Sequence, residues 1–363
     1  MEQLRIPGPT PVPDNVRQAM ARQMINHRGP EFAETINRAT QNLKTFFQTS
    51  NDVFILTGSG TGGLETAAVN VMSPGDKVLS VSHGVFGERF AMIARTFGAE
   101  IIPLQFEWGT APDPDEVKKA LQANDDIKTV LVTHNETSTG VTCDLESLSK
   151  VVKEAGKLLV VDAISSLSSI VLPVDEWNCD VVVTGSQKGW MIPPGLAMIS
   201  VSEEAWKAHA SATMPRVYWD FTRAKSYLEK GQTPWTPAVS LVFALDVALK
   251  LMLDEGPENI IARHTRVADK TRQGIKSLGL SLFADEKYAS NTVTAVKATN
   301  GLDTKNLLKI LREEYKIILG GGQQKLDGKI FRIGHLGWVN ESDIEVVIDS
   351  LKKALPKAGF KTV

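Results

Sequence analysis

Cysteine is scarce: Cys143 and Cys179 are the two in 363 residues, and neither sits in a Cys/His cluster with metal-ligand spacing. A disulfide framework and a zinc or other metal site are disfavoured, and two buried thiols are expected. An excess of one charge is missing too. The 40 Lys and Arg against 42 Asp and Glu leave a formal charge of −2, which makes no electrostatic case for a nucleic-acid partner or an anionic membrane. No run reaches the ~20 unbroken apolar residues of a membrane span, and the opening MEQLRIPGPTPVP has no apolar leader segment. A cytoplasmic protein without a membrane partner is expected. Repeats and low-complexity linkers are also lacking, so the units of the chain should pack closely.

What is present is alternation. The length exceeds what one core fills, so two units are expected. Seven short runs rich in β-branched residues recur with helical stretches between them: VFILTG (53–58), KVLSVS (77–82), EIIPLQF (100–106), TVLVTH (129–134), KLLVVD (157–162), DVVVTGS (180–186) and LAMISVS (196–202). Several are apolar on both alternating faces, as strands covered on each side must be, which predicts an α/β fold of three layers around a mostly parallel sheet. After Ser202 the rhythm changes. A Trp-, Pro- and Arg-rich stretch (214–237) leads into a long helix over 238–255, ended by Gly256 and Pro257. Helical segments near 257–278, 303–315 and 341–355, with strands at 291–298 and 329–337, form a smaller α+β unit. The division is a segment 1–20, a large domain 21–250 and a small domain 251–363.

The first run ends in GSGTGG, with Gly58, Gly60 and Gly63 at the spacing of a dinucleotide fingerprint. Such a site needs a carboxylate at the end of the second strand to hold the ribose. That strand ends SVSHGVF (80–86), with none. An NAD-dependent oxidoreductase is therefore disfavoured. The remaining feature is a glycine turn opening a helix, whose free N–H groups suit one phosphate. Ser59 and Thr61 add hydroxyl donors, and a tight structural turn without a ligand reads the pattern equally well.

In an open α/β sheet, ligands collect beyond the carboxyl ends of the strands. The polar residues there are the glycine loop, His134 to Thr139, Asp162, and Ser186-Gln187-Lys188. Asp162 and Lys188 are one strand–helix–strand unit apart and can face the same crevice. Alone, Asp162 reads as a turn cap and Lys188 as a surface lysine. Together, beside a phosphate cradle, they suggest pyridoxal 5′-phosphate: an amine to condense with its aldehyde and a carboxylate to keep its ring nitrogen protonated.

At these residues the sequence resembles the class V aminotransferases of pyridoxal-phosphate fold type I, and within them the alanine–glyoxylate and serine–glyoxylate enzymes. The motifs span nearly the whole chain: PGPTPVP (7–13), GSGTGGLE (58–65), HGVFGER (83–89), THNETSTG (133–140), VDAISS (161–166), TGSQKGW (184–190), PPG (193–195) and FRIGHLG (331–337). The resemblance implies that Lys188 forms the aldimine and shuttles the proton while Asp162 partners the ring nitrogen. It implies that Phe86, where relatives often carry Trp, stacks on the ring, with Ile164 also at the cofactor. Thr137 would approach the ring hydroxyl. Ser59, Gly60, Thr61 and Gln187 would bind phosphate, with His in place of Thr61 in some relatives. Thr233 and Thr236 would come from the second subunit of a homodimer. Arg332, with Gly8, would receive the substrate carboxylate; without the resemblance, Arg332 reads equally as a structural salt bridge. The implied reaction is ping-pong transamination from a small amino acid, alanine or serine, to a 2-oxo acid such as glyoxylate or pyruvate.

His27 and Arg28 could lie near the substrate entrance, though a capped helix start is the plainer role. His83 and His134 could line the site or be hydrogen-bonded structural histidines. The aromatics at 218–221 and Trp235 could border the site or a dimer interface, or simply fill the core. Among rivals, a cysteine desulfurase would need a reactive cysteine in the smaller domain, and none lies beyond Cys179. An aspartate-type transaminase is the stronger alternative, with Arg28 serving a second carboxylate. A non-catalytic scaffold requires that Lys188 never condense with a cofactor.

Overall fold

The computed structural model of the protein describes residues 2–361. In chain order the elements begin with β1 (Gln3–Arg5), α1 (Asp14–Met20), α2 (Pro30–Phe47), β2 (Asp52–Thr57), α3 (Gly60–Val71), β3 (Lys77–Ser82), α4 (Val85–Thr96) and β4 (Glu100–Gln105). There follow α5 (Pro114–Ala123), β5 (Ile127–Thr133), β6 (Asn135–Glu136), β7 (Val141–Thr142), α6 (Leu145–Glu154), β8 (Leu158–Asp162), β9 (Val181–Gly185) and β10 (Leu196–Val201). The rest are α7 (Glu203–Ser211), α8 (Phe221–Leu228), α9 (Val239–Glu255), α10 (Pro257–Ser277), β11 (Val293–Lys297), α11 (Thr304–Tyr315), β12 (Ile317–Gly321), β13 (Ile330–Gly334) and α12 (Glu341–Ala354).

All seven apolar runs join one sheet, ordered β2-β10-β9-β8-β5-β3-β4. β10 runs against both of its neighbours while the other strands share one direction. The carboxyl ends of β2, β3, β5, β8 and β9 therefore open on one edge. β9 and β10 are buried at every position, which is why their sequences are continuous apolar runs. On one face Phe32, Leu43 and Phe243 of α2 and α9 pack on Val53, Val130 and Val161. On the other, Leu64, Phe90 and Phe221 of α3, α4 and α8 cover Phe54, Val78 and Leu131. Each such side chain contributes roughly 1.5–3 kcal/mol by leaving water, so the three layers hold the strand ends in fixed register.

Local signals set the helix ends. Ser59, Asp113, Asp144, Ser202, Asp220 and Asp303 each accept a bond from a first-turn N–H, and Asn340 with Asp343 forms a reciprocal capping box. Pro30 and Pro257 occupy first-turn positions where no N–H is needed.

Two connections differ from the sequence reading. Between β8 and β9 the chain makes turns, where a helix was expected. The segment AISSLSSI closes its backbone in short turns, with Leu167 N donating to Ala163 O and Ile170 N to Ser166 O, and Ser168 takes a left-handed φ of 70° that interrupts a helix. The second difference is a four-stranded sheet ordered β1-β12-β13-β11, in which β1 pairs in parallel with β12. The N-terminal segment is thus part of the second sheet, which α10, α11 and α12 cover with Ile275, Leu307 and Leu351. The expected division at residue 250 falls inside α9. Among the described residues no helix is long and apolar enough to cross a membrane.

Candidate active site

The sheet edge, the α3 start and the α4 start enclose a cleft of about 170 Å³. Its walls include Ser59, Gly60, Thr61, Phe86, Arg89 and Thr137, with Asp162, Ile164, Gln187 and Lys188 opposite. Nine of the residues expected from the sequence thus meet in one place.

The glycine loop is shaped by close packing. A Cβ on Gly60 would lie 2.6 Å from Ile164 Cδ1, and one on Gly63 would lie 2.7 Å from Val183 Cγ1, so α3 can approach the strand ends only with glycine there. Trp219 seals the outer side, its ring 2.8 Å from where a Gly58 Cβ would stand, and its Nε1 donates to Glu65 Oε1 at 3.1 Å. The free N–H groups at the α3 start, with the hydroxyls of Ser59 and Thr61, can hold an oxyanion. Gln187 Oε1 is buried there without a partner among the described residues.

Lys188 follows β9 in a loop fixed by Trp190. That indole is fully buried, donates from Nε1 to Thr184 Oγ1 at 2.9 Å and packs edge-on against Phe46 and face-on against Phe47. Lys188 Nζ donates to Pro7 O at 2.5 Å. Gly8, at φ 130°, passes so close that a Cβ would lie 2.6 Å from the amine. Burial pulls the Lys188 pKa down to about 8; Asp162 opposes this, and the charges of Arg332 and Arg89 add to it. Burial raises Asp162 to about 7, opposed by the bond its Oδ1 accepts from Ile164 N at 3.0 Å. The cleft thus holds an amine of lowered basicity and a carboxyl group with no ion-pair partner among the described residues.

Arg332 lies behind Thr137. Its Nε donates to Gly321 O at 2.8 Å, and its Nη1 donates to Thr137 O at 3.0 Å and Gln323 Oε1 at 3.1 Å. Nη2 has no partner among the described residues. Among the described residues no carboxylate forms an ion pair with this guanidinium, which is at odds with the salt-bridge reading.

A sequence model described as aminotransferase class-V matches residues 7–331. The chain belongs to that family. The class-V aminotransferase is 37% identical to a serine–glyoxylate aminotransferase of Methylorubrum extorquens, over 99% of this chain and 92% of the relative. It is 45% identical to a protein of Anabaena cylindrica named soluble hydrogenase 42 kDa subunit, over 99% of this chain and 94% of that one. The solved alanine–glyoxylate aminotransferase of Nostoc sp. superposes with a TM-score of 0.94 at 29% identity, covering 98% of this chain and 95% of that one.

Other expected residues of this aminotransferase lie elsewhere. Thr233 and Thr236 are outside the cleft and line a small hollow with Tyr218 and Trp235, whose rings stack at 5.8 Å. Phe221 is core. Arg28 is tied to its own chain: Nη1 donates to Gln232 Oε1 at 3.0 Å and Thr233 O at 2.6 Å, and Nη2 donates to Pro234 O at 3.2 Å. His27 precedes Gly29, the residue before α2, and no side chain caps that helix. His83 and His134 are buried outside the cleft wall, and burial holds them neutral, at about 4 and about 3. Neither nitrogen of His83 has a partner among the described residues, so the hydrogen-bonded role is not seen either. Cys143 and Cys179 are buried free thiols, and burial drives both far above the ordinary thiol range.

Three polar residues of the wall, Asn135, Ser165 and Arg89, were given no role by the sequence reading. Asn135 donates from Nδ2 to Ser165 Oγ at 2.8 Å and Thr292 Oγ1 at 2.9 Å, joining the two sheets behind the cleft. Arg89, one turn beyond Phe86 on the same helix face, carries its guanidinium 4.8 Å from the Phe86 ring centre. The signal for Arg89 was its spacing of three from Phe86, which places both on one side of α4.

Proposed function

We propose that the protein catalyses pyridoxal 5′-phosphate-dependent transamination between a small amino acid, alanine or serine, and a 2-oxo acid such as glyoxylate or pyruvate. The observation that carries this reading is the convergence of Lys188, Asp162 and the α3 start on one cleft. The residues fit the cofactor. The Gln187 side chain makes no hydrogen bond among the described residues, so its amide nitrogen can donate to a phosphate beside Ser59, Gly60 and Thr61. Asp162 is a buried carboxylate in want of a cation, and Lys188 is an amine with a lowered pKa.

When bound, the cofactor supplies an aldehyde and an electron-withdrawing ring that accepts the carbanion. The chain supplies the rest. Lys188 Nζ is the nucleophile and afterwards holds the proton taken from the substrate Cα. Asp162 stabilises positive charge on the ring nitrogen. Phe86, Ile164 and Thr137 bound the ring and keep water from it. Arg332 receives the α-carboxylate through Nη2, a charge-assisted bond that stays available because guanidinium remains protonated at neutral pH. Gly8 leaves room for the substrate over the amine.

The small-donor reading is supported by the compact cleft and by the engagement of Arg28. A dicarboxylic donor such as aspartate is a second reading, favoured by Arg89, which lines the cleft over the Phe86 ring with no ion-pair or hydrogen-bond partner among the described residues. The hydrogenase name of the Anabaena relative is not carried to this chain, whose cleft has the groups of amine and carboxylate chemistry. Thr233 and Thr236, absent from their own cleft, are proposed to complete the cleft of a second copy in a homodimer.

The test is a donor-by-acceptor screen followed by visible absorbance, with wild type and Lys188→Ala. Alanine or serine should change the spectrum of the wild type and leave that of the variant unchanged. Normal turnover by Lys188→Ala would refute the assignment, and strong preference for aspartate would select the second reading.

A further inference from the structure

A carboxylate that the proposed chemistry does not use lies behind the cleft. Glu136 is fully buried, at the end of β6. Among the described residues it has no cation partner, and an unpaired buried carboxylate is costly unless hydrogen bonds satisfy it. Burial pushes its pKa up, against the pull of those bonds.

The partners are specific. Glu136 Oε2 accepts from Phe86 N at 2.9 Å and Gly87 N at 3.2 Å. Its Oε1 accepts from Ser138 N at 3.1 Å and Ser138 Oγ at 2.6 Å. Ser138 Oγ in turn accepts from Val85 N at 3.1 Å. Val85, Phe86 and Gly87 are the first three residues of α4, whose N–H groups have no acceptor within the helix. A segment from another strand therefore caps the whole first turn. Gly84, which precedes the helix, makes this possible: a Cβ there would lie 2.4 Å from the Glu136 side chain.

On its other side the same segment holds the arginine, because Thr137 O accepts from Arg332 Nη1 at 3.0 Å. The segment itself is a tight turn, with Thr139 N and Gly140 N both donating to Glu136 O at 3.2 and 2.9 Å. We propose that Glu136 is a positioning residue, which through this turn fixes Phe86 and Arg332 relative to each other across the cleft. The inference rests on the function proposed above for Phe86 and Arg332.

Glu136→Ala and Glu136→Gln test it. Glutamine keeps an oxygen to accept from Phe86 N and Gly87 N but loses the bond from Ser138 N, where its amide nitrogen meets another donor; alanine keeps neither oxygen. In cofactor-free protein, hydrogen exchange of the peptide spanning 84–89 should quicken in the alanine variant and stay near wild type in the glutamine variant. With cofactor, Glu136→Ala should lose about tenfold to hundredfold in kcat/KM, the range expected when bonds to a charged acceptor are removed. It should do so with a raised KM for the amino donor and an altered visible circular dichroism of the bound cofactor. Glu136→Gln should recover part of that loss, through the bonds to Phe86 N and Gly87 N that it keeps. Unchanged exchange at 84–89 in Glu136→Ala would overturn the proposal, as would a lowered melting temperature with unaltered KM, kcat and visible dichroism. Equal exchange at 84–89 in the two variants would also overturn it, since the oxygen that glutamine keeps for Phe86 N and Gly87 N would then hold nothing. A wild-type protein that never takes up the cofactor refutes the functional reading instead, and the exchange measurement still decides whether Glu136 holds α4.

Discussion

Cofactor-free protein should show Lys188 reacting as an amine of pKa near 8, and the pH profile of its modification tests the cleft directly. Burial lowers this lysine from 10.5 to about 8, with Asp162 opposing and Arg332 and Arg89 assisting. At pH 7 an amine of pKa 8 is neutral about a tenth of the time, and one of 10.5 about three times in ten thousand, so the reactive fraction rises by roughly 300-fold. The assay is a short pulse of an amine-reactive reagent at a series of pH values, with mass spectrometry of the peptide containing Lys188. Limited access lowers the rate at every pH but does not move the midpoint, so the midpoint reports the environment. It should fall near pH 8, drop further in Asp162→Asn, and rise in Arg332→Ala as a repelling charge is removed. A wild-type midpoint at or above pH 10 would refute the reasoning, because the cleft would then be doing nothing to prepare the amine.

The same depression has a stability consequence of opposite sense to a salt bridge. The unfolded chain binds the proton more tightly, so the penalty is fully present below pH 8 and is relieved as pH rises from about 8 towards 10.5, at roughly 3 kcal/mol for the full shift. Lys188→Met should therefore stabilise cofactor-free protein at pH 7 by about 1–2 kcal/mol after the lost bond to Pro7 O is subtracted, and a lowered melting temperature would contradict the sign. Gly63→Ala would place a Cβ 2.7 Å from Val183 Cγ1 and 3.0 Å from Ala197 Cβ. It should lift α3 from the sheet at a cost of about 1–3 kcal/mol, read as an earlier midpoint in urea with weaker cofactor retention; an unmoved midpoint would show that the contact can relax.

The sheet was legible because its inner strands are buried on both faces and so carry unbroken apolar runs. Asp162 and Lys188 were legible for a related reason: a charged residue at the end of such a run, or a few residues beyond it, lies at the sheet edge. Where side-chain direction or remote pairing decides, the sequence was silent. Arg89 enters the cleft because α4 starts at Val85, and that start is set by Glu136 from a different strand. β12 hides in KIILGGG, whose glycines erase the apolar alternation. Trp219 explains why Gly58 and Gly62 cannot carry side chains, yet the indole lies more than 150 residues away in sequence. The turns between β8 and β9 replaced an expected helix because Ser168 takes a left-handed φ, which interrupts a helix there.

The three residues of β1 show why such remote pairings matter for chemistry. Asp162 and Lys188 are opposite charges in one poorly solvated cleft, and a direct ion pair between them would stabilise both and fill the space a ligand needs. Instead the carboxylate accepts from Ile164 N and the amine donates to Pro7 O, so each is held by backbone on its own side. Pro7 is there because β1 pairs with β12, and because the chain after β1 crosses Gly334 so closely that a Cβ would lie 2.0 Å from Ile6 O. Gly8 then turns past the amine. The separation of the two charges thus depends on a strand of the second sheet, and loosening β1 should let Lys188 swing towards Asp162. Deleting residues 2–5 would then raise the Lys188 midpoint above 8 while leaving the large sheet folded. An unchanged midpoint in that truncated protein would mean that the lysine is held away from the carboxylate by its own loop, and that the N-terminal strand has no part in the site.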